Sequence, residues 1–271
     1  PPSSPGLPPA RPLPARAPGE LPGRTLDRAY DASELGDRGR AYTTRVFVHD
    51  RIDAASETGP FPLVVFFHGL NRDRIPHRWM GGGSEGDVRK ILSDLIDEGK
   101  VPPVLLAGPG SVQPAAVSGG ASFPAFDFDR FLDEVRSALG AGPSFDAARV
   151  FVLGHSGAGC SERGGIASAL DSKITPRALV SIDTCMPSGL ARLLGAAHPE
   201  THVVVTWQSV SWDRQFGTFR AVFTKTVAEH PAAPGTLRVT DELPPLPRAH
   251  DATVKQTFDK YLPQLLATTP K

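Results

Sequence analysis

The sequence has no excess charge of either sign, no long apolar run and only two cysteines among its 271 residues. Lys plus Arg and Asp plus Glu each number 29, so the formal net charge is zero. A chain without net charge has no long-range attraction to nucleic acid or to an anionic membrane. No stretch reaches the ~18 apolar residues that a membrane-spanning helix needs. We therefore expect neither nucleic-acid binding nor a membrane span.

Motifs for phosphate groups, dinucleotides and metals are also missing. The glycine-rich stretch Met80–Gly86 lacks the lysine and the spacing of a phosphate-binding loop. The stretch Gly154–Gly159 (GHSGAG) has glycine spacing similar to that of a dinucleotide fingerprint, but no early βαβ unit with an acidic partner supports that function. No spacing of His, Cys and Asp suggests metal ligands. We expect no cofactor and no metal ion.

The first part of the chain is rich in proline and poor in large apolar side chains. Such a segment buries too little surface to offset the entropy lost on ordering. We therefore expect residues 1–38 to be a flexible leader and residues 39–271 to form one domain. The first residue is proline, so the chain either is a mature product of signal-peptide cleavage or has been trimmed. The first alternative predicts a secreted or periplasmic protein.

From there to the end of the chain, strand-like and helix-like patterns alternate. The continuous apolar run Leu63–Phe67 is typical of a strand buried on both faces. Helical stretches follow such runs, and one of them repeats apolar residues at the spacing of a single helix face: Val88, Ile91, Leu92, Leu95 and Ile96. This alternation predicts an α/β fold, a three-layer α/β/α sandwich around a mostly parallel sheet of about eight strands.

Residues that can carry out catalysis follow successive predicted strands. Ser156 follows the apolar strand Val150–Leu153 and stands between small residues, which predicts a strained strand-to-helix turn that exposes one hydroxyl. Asp183 follows the next strand, and His250 lies in the loop after the last strand. Because functional groups gather beyond the carboxyl ends of parallel strands, we expect these side chains to meet.

This order, together with the motifs GHSGAG, FFHGLN, SIDTC and RAHDAT, resembles the α/β-hydrolase family over about 230 residues. The family's Gly-x-Ser-x-Gly pattern is modified here, since Ala158 stands at its last position. The resemblance implies a Ser-His-Asp triad and a backbone oxyanion hole. The residues that would form them are Ser156, His250 and Asp183 for the triad, and Leu70 and Gly157 for the hole.

Two carboxylates compete for the role of the acid. Most family members place it after the following strand, where Asp213 stands. A smaller branch that includes platelet-activating-factor acetylhydrolase-like enzymes places it at the position of Asp183 and carries a His-Gly-Leu turn, as this chain does at His68. The sequence also resembles polyesterase-like members. Asp213 suits the first turn of a helix, where the dipole favours a carboxylate, so we favour Asp183.

Several further residues lie near these strand ends. Cys160 and Cys185 follow Ser156 and Asp183 closely, so we expect a disulfide between them, with two buried free thiols as the alternative. A disulfide would also favour an oxidising compartment. The predicted substrate contacts are His68, His155, Trp207 and Trp212.

The chain between the acid strand and the next strand bears on the substrate. Only about 17 residues, Thr184 to Glu200, join them, which leaves no room for a lid domain and predicts an open cleft. We expect a monomeric carboxyl-ester hydrolase for small or polymeric esters. A peptidase or amidase with the same triad is the alternative, and a non-catalytic binding protein on a hydrolase scaffold is an alternative of another class.

Overall fold

The computed structural model describes residues 19–31, 41–53, 59–111, 121–210 and 216–267. The strands are β1 (Gly23–Asp31), β2 (Ala41–His49), β3 (Phe61–Phe67), β4 (Leu105–Ser111), β5 (Phe145–His155), β6 (Ala178–Ile182), β7 (His202–Trp207) and β8 (Arg238–Glu242). The α-helices are α1 (Asp50–Asp53), α2 (Val88–Asp97), α3 (Phe128–Leu139), α4 (Ser188–Gly195), α5 (Phe216–Glu229) and α6 (Ala249–Ala267). Short 3-10 helices cover Ser156–Gly159 and Gly165–Asp171.

The eight strands form one sheet in the order β1-β2-β4-β3-β5-β6-β7-β8. β2 pairs antiparallel with both β1 and β4, and every other pair is parallel. The parallel strands therefore end at one edge of the sheet, where the loops after β3, β5, β6 and β7 come together. The predicted mostly parallel sheet of about eight strands is confirmed.

Helices cover both faces of the sheet because the central strands are apolar on both. In β3, Leu63, Val65 and Phe67 belong to one core cluster, and Val64 and Phe66 belong to the other. Helices α3, α4 and α5 cover the first cluster, whereas α2 and α6 cover the second. This arrangement confirms the three-layer architecture.

The amphipathic patterns on α2 and α3 determine which helix faces are buried. On α2, Val88, Leu92, Leu95 and Ile96 are buried, as the spacing predicts. Asp87 caps this helix by accepting from the Arg89 N–H at 3.0 Å, which satisfies one of the free donors of the first turn.

Two sequence expectations need correction. β1 lies within the range 1–38 that was expected to be a flexible leader, but it pairs with β2 along its whole length and Leu26 packs against the core. The strand-to-helix turn predicted at Ser156 implies an α-helix after it, but the chain there forms 3-10 helices. Gly165 has a φ of +53° and approaches the Ala158 carbonyl too closely for any Cβ, so a regular α-helix is interrupted there.

The connection from β6 to β7 contains only the short helix α4, and no domain is inserted there. Within the described ranges, no helix is both long enough and apolar enough to cross a membrane.

Candidate active site

The turn after β5 holds Ser156 in an unusual backbone conformation. Its φ is +56°, in the left-handed region that residues other than glycine rarely adopt. Gly154 makes room for this turn, because a Cβ there would lie 2.4 Å from Ile166 Cγ1. Strain of this kind costs energy and persists only where the surrounding structure enforces it.

The loop after β3 lies directly against Ser156. A Cβ at Gly69 would lie 2.6 Å from Ser156 Cβ and 3.0 Å from Ser156 Oγ. Only glycine permits this approach, which brings the backbone of the His68–Leu70 turn beside the hydroxyl.

Side chains hold the successive carbonyl groups of the His68–Leu70 turn. Ser122 Oγ donates to the His68 carbonyl at 3.0 Å, and Arg78 Nη1 donates to the Leu70 carbonyl. His68 Nδ1 lies 2.6 Å from the Gly69 carbonyl, to which it must donate because a carbonyl oxygen only accepts. The Gly69 carbonyl and the Leu70 N–H belong to one planar peptide unit. The His68 bond therefore also orients the Leu70 N–H.

The pKa of His68 is lowered to about 4 because burial disfavours the charged ring. His68 is therefore neutral near pH 7 and carries its proton on Nδ1.

The loop after β6 presents a buried carboxylate. Asp183 is fully buried and has a φ of +47°. Its Oδ2 lies 2.5 Å from His250 Nδ1 and accepts from Gln208 Nε2 at 2.9 Å. The Gln208 N–H donates to Oδ1 at 3.3 Å, and the Asp183 N–H donates to the Thr206 carbonyl at 2.8 Å. The Gln208 donors and the His250 contact offset the cost of burying the carboxylate.

His250 lies in the first turn of α6, and its side chain is 30 % exposed. The Asp183 contact engages Nδ1 and so fixes the orientation of the imidazole, with Nε2 on the opposite side of the ring.

His155 packs against the His250 ring and binds the His250 backbone. Its ring centroid lies 4.3 Å from that of His250, and its Nε2 donates to the His250 carbonyl at 3.0 Å. Burial lowers the pKa of His155 well below its usual range, and the neighbouring His250 lowers it further. His155 is therefore a neutral supporting residue. Its edge contacts Trp79, with ring centroids 5.4 Å apart.

Of the predicted substrate contacts, those that the structure describes are buried. Trp207 is 2 % exposed and stacks on Phe216 with ring centroids 5.7 Å apart, which places it in the core rather than at a cleft wall. His68 and His155 are also buried. Trp212 and the alternative acid Asp213 lie outside the described residues.

Sequence reasoning assigned no role to Gln208, Ser122 or Arg78. Gln208 directly follows β7, so the sequence places it at the carboxyl end of a strand but does not show that it binds Asp183. The two contacts to the His68–Leu70 turn leave no comparable pattern in the sequence.

The predicted disulfide between Cys160 and Cys185 is confirmed, with the two Cα atoms 5.0 Å apart. It joins the end of the Ser156–Gly159 helix to the loop that follows Asp183. In the chain-entropy picture, a bridge across a separation of 25 residues stabilises the fold by about 3.5 kcal/mol.

A cavity of about 330 Å³ lies between α2 and the start of α6. Trp79, Arg248 and Asp251 are among its lining residues, whereas Ser156 and Asp183 are not. His250 is not a lining residue either, so this cavity is separate from the three candidate catalytic side chains. Within the described ranges, no group of three or more His, Cys, Asp or Glu side chains could hold a metal ion.

No family model and no curated protein matches the sequence. Solved structures do match. A ferulic acid esterase has a TM-score of 0.63 at 12 % identity, over 91 % of this chain and 98 % of its own. The chain has the α/β-hydrolase fold.

Two further structures agree with this fold. The feruloyl esterase module from Clostridium thermocellum has a TM-score of 0.55 at 13 % identity, over 97 % of this chain and 95 % of its own. The S-formylglutathione hydrolase FrmB from Staphylococcus aureus has a TM-score of 0.55 at 11 % identity, over 90 % of this chain and 99 % of its own. At these identities the likeness establishes the fold alone.

Proposed function

We propose that the protein is a serine hydrolase that cleaves carboxylic esters through an acyl-enzyme intermediate. The observation that carries the proposal is the 2.5 Å contact between His250 Nδ1 and the buried Asp183 Oδ2. This pair lies at the same edge of the sheet as a serine held at a φ of +56°. Structural neighbours that are esterases favour ester substrates.

In the first step, Ser156 Oγ attacks the ester carbonyl carbon while His250 Nε2 takes the hydroxyl proton. A serine hydroxyl is a weak nucleophile until such a base removes its proton. Asp183 holds the imidazole in the correct tautomer and stabilises the imidazolium that forms.

The oxygen of the attacked carbonyl becomes an oxyanion, and the N–H groups of Leu70 and Gly157 donate to it. Loss of one such donor typically raises the barrier by about 3 kcal/mol. Collapse of this intermediate breaks the bond to the alcohol, which leaves with the proton from His250. Water then attacks the acyl-enzyme by the same route and releases the carboxylic acid and free Ser156.

The disulfide and the esterase neighbours are compatible with an extracellular location. We therefore propose a secreted or periplasmic enzyme. The short β6–β7 connection supports an open cleft that admits small or bulky esters.

The test begins with a labelled fluorophosphonate, which reacts with activated serines. We expect covalent labelling of the wild type and none of Ser156→Ala, whereas Ser161→Ala, a nearby serine variant, labels normally. Absence of labelling in the wild type would favour a non-catalytic binding protein.

The same variants are then assayed on p-nitrophenyl esters of increasing acyl length and on aminoacyl anilides. We expect turnover of the esters, with Ser156→Ala at background. Faster cleavage of the anilides would overturn the assignment to esters in favour of a peptidase or amidase.

A further inference from the structure

Ser122 is a fully buried residue outside the proposed triad and oxyanion hole. Its N–H donates to the Gly157 carbonyl at 2.9 Å, and its Oγ donates to the His68 carbonyl at 3.0 Å. One residue thus contacts both turns that would supply the oxyanion donors.

These turns belong to different strands. The His68–Leu70 turn follows β3, and Gly157 follows β5. The strands are paired up to Phe67 and Gly154, but both turns lie beyond the end of that pairing. Their separation therefore depends on contacts other than the sheet hydrogen bonds.

The neighbours of Ser122 anchor it in the fold. Phe123 is also fully buried, and its ring lies edge-on to His68 with centroids 4.9 Å apart. The Phe123 carbonyl accepts from the Gly165 N–H at 3.0 Å. The backbone around Ser122 is thus tied to the chain beyond the nucleophile turn, so Ser122 contacts the two turns from an anchored position.

We propose that Ser122 is a positioning residue that fixes the distance and orientation between the two oxyanion donors, Leu70 N–H and Gly157 N–H. The inference rests on the proposed function. Donors of this kind act only when they point at the place where charge develops, so a small displacement weakens transition-state binding. Substrate binding depends on them less, and the loss should fall on kcat rather than on KM.

The test compares Ser122→Ala with Ser168→Ala. Ser168 is a matched control, because it is also a buried serine whose Oγ donates to a backbone carbonyl, that of Gly165, at 2.6 Å. Active sites are counted with the fluorophosphonate, so that kcat refers to correctly folded enzyme. Affinity for phenylboronic acid, which forms a tetrahedral adduct on the serine, reports on the oxyanion hole.

For Ser122→Ala we expect kcat to fall by roughly 10- to 100-fold, with KM within about 2-fold and boronate affinity reduced in parallel with kcat. Ser168→Ala should keep kcat and boronate affinity within about 2-fold while losing similar thermal stability. Partial recovery in Ser122→Thr, which keeps the hydroxyl, would support the role of that hydrogen bond.

Two results would overturn the inference without affecting the proposed function: full kcat in Ser122→Ala, or an equal loss of kcat in Ser168→Ala. If the wild type does not react with the fluorophosphonate, the proposed function itself is wrong and this inference falls with it.

Discussion

The two halves of the candidate site are held in place by different kinds of interaction. The half around Ser156 depends on backbone shape, with a serine at positive φ and a glycine that packs against it. The half around His250 depends on charge and hydrogen bonds, because Asp183 meets the imidazole and Gln208 inside the protein. In the proposed mechanism, the first half positions the nucleophile, and the second controls where its proton goes.

This difference implies that the two halves fail in different ways. Added volume should displace groups in the Ser156 half even when every polar contact is kept. Loss of charge at constant volume should disable the His250 half without moving the backbone. Substitutions that change only volume or only charge can therefore separate the two contributions.

The largest effect is expected from Asp183→Asn, which keeps the volume but removes the charge. An amide can hold the imidazole in the wrong tautomer and cannot stabilise its charged form, so kcat should fall by about 10⁴-fold. The measurement is steady-state hydrolysis of a p-nitrophenyl ester. Asp213→Asn, at the alternative acid position, should stay within a few fold of the wild type. The reverse ranking of the two variants would assign the acid to Asp213.

A smaller loss is expected from Gly69→Ala, which adds one methyl group and leaves all charges in place. Its Cβ would lie 2.6 Å from Ser156 Cβ, so either the turn or the serine must move. We expect kcat/KM to fall by about 100- to 1000-fold, the range for loss of an oxyanion donor.

The matched control for this change is Gly217→Ala. A Cβ added there meets nothing within 4 Å, so its activity should match that of the wild type. A fully active Gly69→Ala would show that the close approach to Ser156 is not required.

The smallest effect concerns stability in mild acid. Because the pKa of His68 is lowered from 6.5 to about 4, the unfolded chain takes up a proton in this range that the folded protein does not. The free energy of unfolding should therefore fall as the pH falls through this window, by about 2 kcal/mol from His68 at pH 5. The lowered pKa of His155 acts in the same direction.

Urea unfolding of the wild type and of His68→Asn, at pH 7.5 and pH 5, measures this contribution. The variant should lose less stability between the two pH values. An equal loss in both proteins would contradict the assignment to His68.

The sequence predicts the parts of the fold that show either a continuous apolar run or a clear helical periodicity. The β3 run and the apolar face of α2 follow directly from their patterns, as does the order of elements. β1 escapes this reasoning because it is an edge strand, where charged side chains are common; Leu26 packs against the core, but its neighbours give no clear alternation.

For the candidate site, sequence order identifies residues at strand ends but not the contacts between loops. Asp183 and His250 both follow strands of the parallel part of the sheet, so their contact is expected from the order of the elements. This contact supports the proposed triad. The bridging contacts of Ser122 and Arg78 arise from loop packing between distant segments, which no local pattern encodes. Trp207 was expected at the cleft because it ends a strand, yet its side chain points into the core and stacks there.

The bond between Cys160 and Cys185 closes a covalent ring that contains β6. Ser156 stands four residues before this ring, and Asp183 lies within it, two residues before Cys185, so the chain around both residues is tethered by the bond. His250 has no such tether and reaches the site only when α6 docks on the sheet. Activity should thus be the last property gained on refolding and the first lost when the carboxyl-terminal helix detaches.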